Sequence, residues 1–314
     1  MKLKTIYKTF VYAIVVIAYC VIIYKLATYD NYGTLFDQFV SNISTNWMYL
    51  VLCLLLMPCN MLTEAVKWQC AVRYIEKISF KKAIISTMRG QVGGIATPNK
   101  LGDIPTRALS LRDENKASGI VIGFIATWTL PLVSTILGTV AAIKYLSIYY
   151  PEILNNKPKA LLIGSAIAII TLVILPFFLK KMNGNNRVSS KIRPIINAIA
   201  NISFAQIGIF VTLSCIRYAI FCSQMFLMLR FFGIVISIAQ ALMAIPTIYA
   251  LTTITPILPG TEAASRISYA LLVLKPISQT CPTITLATSL LWALNCGIPI
   301  ILGSFLFNKT EKYC

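Results

Sequence analysis

Long stretches with almost no charged side chain recur along this chain, and they decide what it can fold into. A helix rising about 1.5 Å per residue needs roughly 20 apolar residues to cross about 30 Å of hydrocarbon. Residues 9 to 25, 46 to 63, 119 to 143, 160 to 179, 204 to 229 and 283 to 307 each meet or approach that length. The first is short, but Lys8 and Lys25 at its ends can run their stems along lipid and set their ammonium groups at the interface. Only 12% of the residues are charged and 57% are hydrophobic, against about 25% charged in an ordinary soluble domain. These features exclude a soluble globular fold and predict an all-α integral membrane protein. The excess of 28 Lys and Arg over 10 Asp and Glu then reads as membrane topology, and no nucleic-acid partner is expected. The N-terminal MKLKTIYK and its apolar run lack a small-residue cleavage site, which predicts an uncleaved first span.

The sequence contains no histidine, which rules out imidazole acid-base catalysis, histidine metal ligation and a Ser-His-Asp or Cys-His nucleophile. Its nine cysteines are scattered through apolar stretches with no CxxC pair, so they read as small core or lipid-facing residues. No metal or other cofactor is expected. Gly90-Gln91-Val92-Gly93-Gly94 lacks the Gly-Lys-Ser/Thr ending of a Walker loop and the preceding strand of a dinucleotide fingerprint.

Two segments do not fit single crossings. Residues 83 to 97 contain Arg89 and Gly93-Gly94 and stop at Thr97-Pro98, and residues 231 to 261 are interrupted by Pro246, Pro256 and Pro259. Both read as broken or re-entrant helices, which bilayers tolerate only where protein or a wet cavity satisfies the exposed backbone. With the N-terminus inside and 83 to 97 re-entering from the inner face, most of the Lys and Arg residues fall on inner segments and the C-terminus is also inside. That obeys the positive-inside rule, whereas a full crossing at 83 to 97 would split its two basic flanks between opposite faces. The expected architecture is a single polytopic domain over 1–314, with about six full spans and two re-entrant hairpins in inverted halves. The first half covers about 1–158 with its hairpin at 83–107. The second covers about 159–314 with its hairpin at 238–280.

The two breaks share a pattern. Pro98-Asn99-Lys100-Leu101-Gly102-Asp103 leads to Arg107, and Pro256-Ile257-Leu258-Pro259-Gly260-Thr261-Glu262 leads to Arg266. In each, a proline ends a helix, a glycine permits the turn, and an acid four residues ahead of an arginine puts both on one face of a new helix. Interrupted segments in corresponding places of two halves point to a midplane transport site. Arg217 lies in the middle of 204 to 229, where an arginine costs about 2.5 to 3.5 kcal/mol on insertion scales and therefore needs a partner, a cavity or a ligand. It reads equally as a structural pair with Glu262 or Asp103 and as a ligand for a headgroup phosphate. Arg89 is a further candidate, with a snorkelling inner-face arginine as its alternative. Glu64, Lys67 and Trp68 end the second span and read as interface residues.

The run Leu62-Thr63-Glu64-Ala65-Val66-Lys67-Trp68 belongs to a wider set of resemblances. It is followed by Arg89-Gly90, by Ala96-Thr97-Pro98-Asn99-Lys100-Leu101-Gly102-Asp103 with Arg107, and by Ile245-Pro246 through Leu258-Pro259-Gly260-Thr261-Glu262 with Arg266. Together they resemble the lysylphosphatidylglycerol synthase transmembrane region, also called the flippase-like domain, over roughly 45 to 307. In that family the first signature is commonly Thr-Pro-Gly-Arg-Leu-Gly-Glu, and here Asn99, Lys100 and Asp103 replace its glycine, arginine and glutamate. The second signature is usually longer and richer in glycine. The resemblance implies a bacterial inner-membrane protein that moves a lipid or lipid-linked anion between leaflets. Larger members append a soluble aminoacyl transferase, which has no counterpart before Cys314, so lipid aminoacylation is not expected.

The leading expectation is a flippase-like transporter for a membrane phospholipid or lipid-linked anion. Its transport residues would be Arg89, Thr97, Pro98, Lys100, Gly102, Asp103, Arg107, Arg217, Pro259, Gly260, Glu262 and Arg266. Two rivals stand beside it. One is a membrane-embedded enzyme acting on lipid phosphates, which would need Asp103 or Glu262 as its general base. The other is a non-catalytic subunit that recruits a cytoplasmic lipid-synthesis enzyme to its basic inner face.

Overall fold

The computed structural model describes residues 32–95, 97–156, 202–256, 261–278 and 280–307, and every element among them is helical. In chain order these are α1 (Tyr32–Val72), α2 (Phe80–Ile95), α3 (Asp103–Ala108), α4 (Asp113–Tyr149), α5 (Pro151–Asn156), α6 (Phe204–Phe231), α7 (Ile238–Ile254), α8 (Glu262–Leu274), α9 (Cys281–Trp292) and α10 (Ile298–Phe307). A 3-10 turn, Pro98–Lys100, precedes α3, and a π-helical turn, Ala293–Gly297, joins α9 to α10. The expected spans at 9 to 25 and 160 to 179 lie outside the described residues, as do Pro259 and Gly260.

Four helical stretches are long and apolar enough to cross a bilayer: Phe39–Val72, Asp113–Tyr149, Phe204–Phe231 and Cys281–Leu306. They contain the spans read at 46 to 63, 119 to 143 and 204 to 229 and all but the last residue of 283 to 307, so this is a multi-pass helical membrane protein. Leu54, Leu55, Leu137, Val140, Ile209 and Ile216 stand exposed on these helices, as side chains that face lipid should. The first of the four runs past the boundary read at residue 63. Glu64 and Lys67 do not end the helix, because both are buried in ion pairs instead of facing water.

The element order repeats. A long helix (α1), a broken pair (α2, α3) and a long helix (α4) are followed by another long helix (α6), broken pair (α7, α8) and long helix (α9–α10). Local signals set the ends. Ser237 and Gln240 form a reciprocal capping box at the start of α7, and Ser203 accepts the Gln206 N–H at the start of α6. Asp113 and Glu114 occupy the first turn of α4, where the helix dipole favours negative charge.

Lipid is as apolar as leucine, so helices here are sorted by small residues and interhelical hydrogen bonds. α1 and α6 pack along most of their length, and their bonds show the direction. Asn46 Nδ2 donates to the Phe231 carbonyl, Gln224 Nε2 to the Cys53 carbonyl, Arg217 Nε to Asn60 Oδ1, Lys67 Nζ to Ser214 Oγ, and Gln206 Nε2 to the Cys70 carbonyl. Numbers climb on one helix as they fall on the other, so the two run antiparallel. The broken arms are exchanged: α2 lies against α10, and α7 lies against α4. In the latter contact Gly138 faces the Pro246 carbonyl and Ala250, while Ser134 and Thr253 share a hydrogen bond at 3.1 Å.

Two details differ from expectation. Pro246 lies inside α7 without ending it, and the chain leaves helix only after Ile254. Gly93-Gly94 is likewise helical. Proline alone does not end a helix here, whereas at the first break Pro98 is followed by Asn99 and Lys100 at positive φ.

Candidate functional site

α2 stops at Ile95, and the chain reverses within a few residues. Thr97 organises the turn: its Oγ1 accepts the Gly102 N–H at 2.7 Å and lies 3.0 Å from the Gly94 carbonyl. Asn99 and Lys100 both take positive φ, 48° and 57°, a left-handed conformation that asparagine tolerates and lysine adopts at a cost. Pro98 opens the 3-10 turn, and Gly102 precedes α3. The short α3 then packs directly on α2. A Cβ on Gly90 would fall 2.0 Å from Asp103 Oδ1 and 2.6 Å from Arg107 Cγ, so only glycine admits this approach. The glycines near the first break are therefore a packing surface for α3 and not the break itself.

On α3 the expected acid–arginine pair forms. Arg107 Nε and Nη2 each donate to one oxygen of Asp103 at 2.6 Å, a bidentate fork. The third nitrogen, Nη1, donates to Glu64 Oε1 at 2.7 Å. Glu64 also pairs with Arg217 and lies 3.1 Å from Lys67 Nζ. One carboxylate, 1% exposed, is thus ringed by three cations from α1, α3 and α6. Arg217 Nε continues to Asn60, and its guanidinium sits 5.3 Å over the Phe221 ring.

This replaces two sequence expectations. Glu64, Lys67 and Trp68 are buried, not interfacial, and the partner of Arg217 is Glu64, where the sequence suggested Glu262 or Asp103. The missed signal was present: Asn60, Glu64 and Lys67 recur at i, i+4 and i+7, a polar stripe on an otherwise apolar helix.

The second break meets the first. Glu262, at the start of α8, holds Arg266 Nη2 at 2.9 Å through Oε1 and Lys100 Nζ at 2.9 Å through Oε2. Lys100 belongs to the other break, so a single ion pair bridges the two. Cys296 Sγ lies 3.7 Å from Lys100 Nζ and 3.9 Å from Glu262 Oε1, while Arg266 stands 6.0 Å over the Tyr249 ring. The π turn brings the two groups of charges together. Its Asn295 bonds Asn60 at 3.0 Å and Gln224 at 2.9 Å, and the next residue is Cys296. π turns insert one residue and are frequent at functional positions; here one turn serves both charge groups. Asn295, Cys296, Gln224 and Tyr249 carried no sequence signal beyond their residue type.

Arg89 stands apart, donating to the Leu306 carbonyl at 2.7 Å and tying α2 to α10. Of the remaining candidates, Thr97, Pro98 and Gly102 shape the first turn, and Lys100, Asp103, Arg107, Arg217, Glu262 and Arg266 enter the connected network. That network holds five cations, Lys67, Lys100, Arg107, Arg217 and Arg266, against three carboxylates, Glu64, Asp103 and Glu262. Among the described residues no cluster of acidic or cysteine side chains could hold a metal ion.

The family model of the lysylphosphatidylglycerol synthase TM region matches residues 10–303. No curated protein and no solved structure matches the chain. A match over that length shows membership: the chain belongs to the lysylphosphatidylglycerol synthase transmembrane family.

Proposed function

We propose that this family member moves an anionic phospholipid or lipid-linked anion between the leaflets of a bacterial inner membrane, with both termini on the cytoplasmic side. The observation that carries the reading is the meeting of two helix breaks, one from each repeat of the element order, at a partly buried network with two more cations than carboxylates. Uncompensated charge inside a membrane protein is expensive and marks substrate pathways. The antiparallel α1 and α6 support inverted halves, and the broken pairs α2–α3 and α7–α8 are then re-entrant hairpins entering from opposite faces. Arginine forks at the breaks suit phosphate oxygens. An inside-negative potential favours outward movement of an anion by about 2.3 kcal/mol per charge per 100 mV, a drive that needs no nucleotide.

Reconstituted protein tests this with a leaflet-accessibility assay that compares labelled phosphatidylglycerol with phosphatidylcholine, for the wild type beside Arg217→Ala. Anion-selective movement that is lost in the variant is expected. Absence of movement of either lipid by folded protein would overturn the proposal. Conversion of a candidate lipid to a new mass would then favour the membrane-embedded enzyme, and a co-purifying synthase would favour the recruiting subunit.

A further inference from the structure

The two acid–arginine pairs occupy the same place in the repeated element order, yet their hydrogen-bond inventories differ. Every nitrogen of Arg107 is engaged: Nε and Nη2 bond Asp103, Nη1 bonds Glu64, and the side chain is 3% exposed. Arg266 bonds Glu262 through Nη2, while its Nε is buried with no acceptor. Among the described residues no second carboxylate plays for Arg266 the part that Glu64 plays for Arg107. Glu262 is itself shared with Lys100, whose side chain is 43% exposed. The second break therefore sets two cations against one carboxylate and leaves a charged donor unmatched, a cost proteins rarely leave without a reason.

From this asymmetry we infer that the two arginines have divided roles. Arg107 belongs to a closed ionic lock that fixes α3 against α1, and Arg266 together with Lys100 forms the anion subsite. The missing acceptor is a phosphate oxygen, which would take the buried Nε–H and the reachable ammonium at once. The left-handed backbone at Asn99 and Lys100 fits this role, since it turns the lysine towards Glu262 across the gap between the breaks. The phosphate could come from a lipid headgroup or from free phosphate. The inference deepens the transport reading, which supplies the reason a phosphate would arrive, but the subsite is defined by equilibrium binding alone.

The test is binding to the purified full chain in detergent, read as the ligand-dependent rise in melting temperature. Short-chain phosphatidylglycerol, phosphatidylcholine and inorganic phosphate are titrated in parallel. A charge-assisted hydrogen bond lost from the site corresponds to about a 10- to 100-fold fall in affinity. That fall for phosphatidylglycerol is expected in Arg266→Lys, which keeps the charge and loses the planar donors, and in Lys100→Gln, with the ligand-free melting temperature of each variant showing that it is folded. Arg107→Lys is expected to lower the melting temperature of the ligand-free protein and to cost at most about threefold in affinity. Binding of inorganic phosphate as well as phosphatidylglycerol identifies a free-anion site, and binding of the lipid alone identifies a headgroup site; both support the subsite. Wild type that binds none of the anions, or a larger affinity loss in Arg107→Lys than in both Arg266→Lys and Lys100→Gln, overturns it. Leaflet movement that persists in Arg266→Lys and Lys100→Gln without loss of binding would sink the subsite and leave the transport proposal standing. Binding that behaves as expected in protein that moves no lipid does the reverse.

Discussion

Glu64→Gln removes a single negative charge at the point where three helices converge, and its cost can be worked from the geometry. The carboxylate faces Arg107 at 2.7 Å and Lys67 at 3.1 Å, with Arg217 on the same oxygen as Lys67. At an effective dielectric of about 20, each such pair is worth about 5 kcal/mol of Coulomb attraction before desolvation is subtracted. The amide keeps one acceptor oxygen and turns its donors towards a cation, so much of the attraction is lost while the cations stay buried. Breaking a buried pair from one side costs about 3 to 5 kcal/mol for this reason. Arg217→Met should be costly too, since it strands Asn60 and weakens the hold on Glu64. The double variant removes one charge of each sign and should cost less than the sum of the singles by about 1 to 3 kcal/mol. Unfolding titrations in mixed micelles, followed by far-ultraviolet circular dichroism, measure all four corners of this cycle. A cost below about 1 kcal/mol for Glu64→Gln, or additivity within about 0.5 kcal/mol, would show that Glu64 is not the hub.

Gly90→Ala places a methyl 2.0 Å from Asp103 Oδ1 and should cost about 1 to 3 kcal/mol in the same titration. Gly208→Ala, with nothing within 4 Å, should be neutral or stabilise by up to about 1 kcal/mol. Asn99→Val, forced to a φ of 48°, should cost about 1 to 2 kcal/mol by thermal melting. Glu76, in the loop between α1 and α2, is pushed up by partial burial. More strongly, it is held below the ordinary carboxylate range by the Arg112 N–H, the Asn115 amide and Lys82. A depressed carboxyl stabilises the fold above its unfolded value of about 4.3 and loses that contribution as pH falls through the folded one. A melting-temperature profile should therefore drop at acid pH in the wild type and flatten there in Glu76→Gln; identical profiles would refute the clamp.

How much of this was legible depends on what each feature's signal is made of. Length and apolarity make spans readable, so the stretches 204–231 and 281–307 follow from the sequence almost to their ends, while the span read at 119 to 143 falls six residues short of its helix, Asp113–Tyr149, at each end. A charge, however, ends a helix on paper only if it needs water. Glu64 and Lys67 do not, because they pair with each other, Arg107 and Arg217 reach Glu64 from 43 and 153 residues away, and Lys67 donates to Ser214. The i, i+4 pairs Asp103–Arg107 and Glu262–Arg266 were readable because their spacing is local. The long-range partners Glu64–Arg217 and Lys100–Glu262 were not, since no local rule selects among the available acids. Cys296 and Asn295 were illegible for a third reason: only a π turn puts both side chains into the network, and its sequence has no distinguishing pattern.

The same network has to perform two tasks that pull against each other. In lipid the hydrophobic effect does not tell one helix from another, so Asn60, Glu64, Arg217, Gln224 and Asn295 determine which helices meet and in which direction. For assembly alone, matched charges would be best, and the Glu64–Arg107–Asp103 group approaches that state. A chain that hosts an anion must keep some donors unmatched, and it can afford to do so only where packing elsewhere holds the geometry. α8 is held through contacts with α7 and α9, and Tyr145 of α4 donates to the Val273 carbonyl at 2.8 Å, several turns from Glu262. The second break can therefore carry a buried, unbonded Arg266 Nε without losing its place. α3, only six residues long, packs on α2 and α4, and every nitrogen of its arginine is engaged. Both breaks are thus braced by packing and differ in their charges: those at α3 are closed by Asp103 and Glu64, while those at α8 leave the Arg266 Nε open.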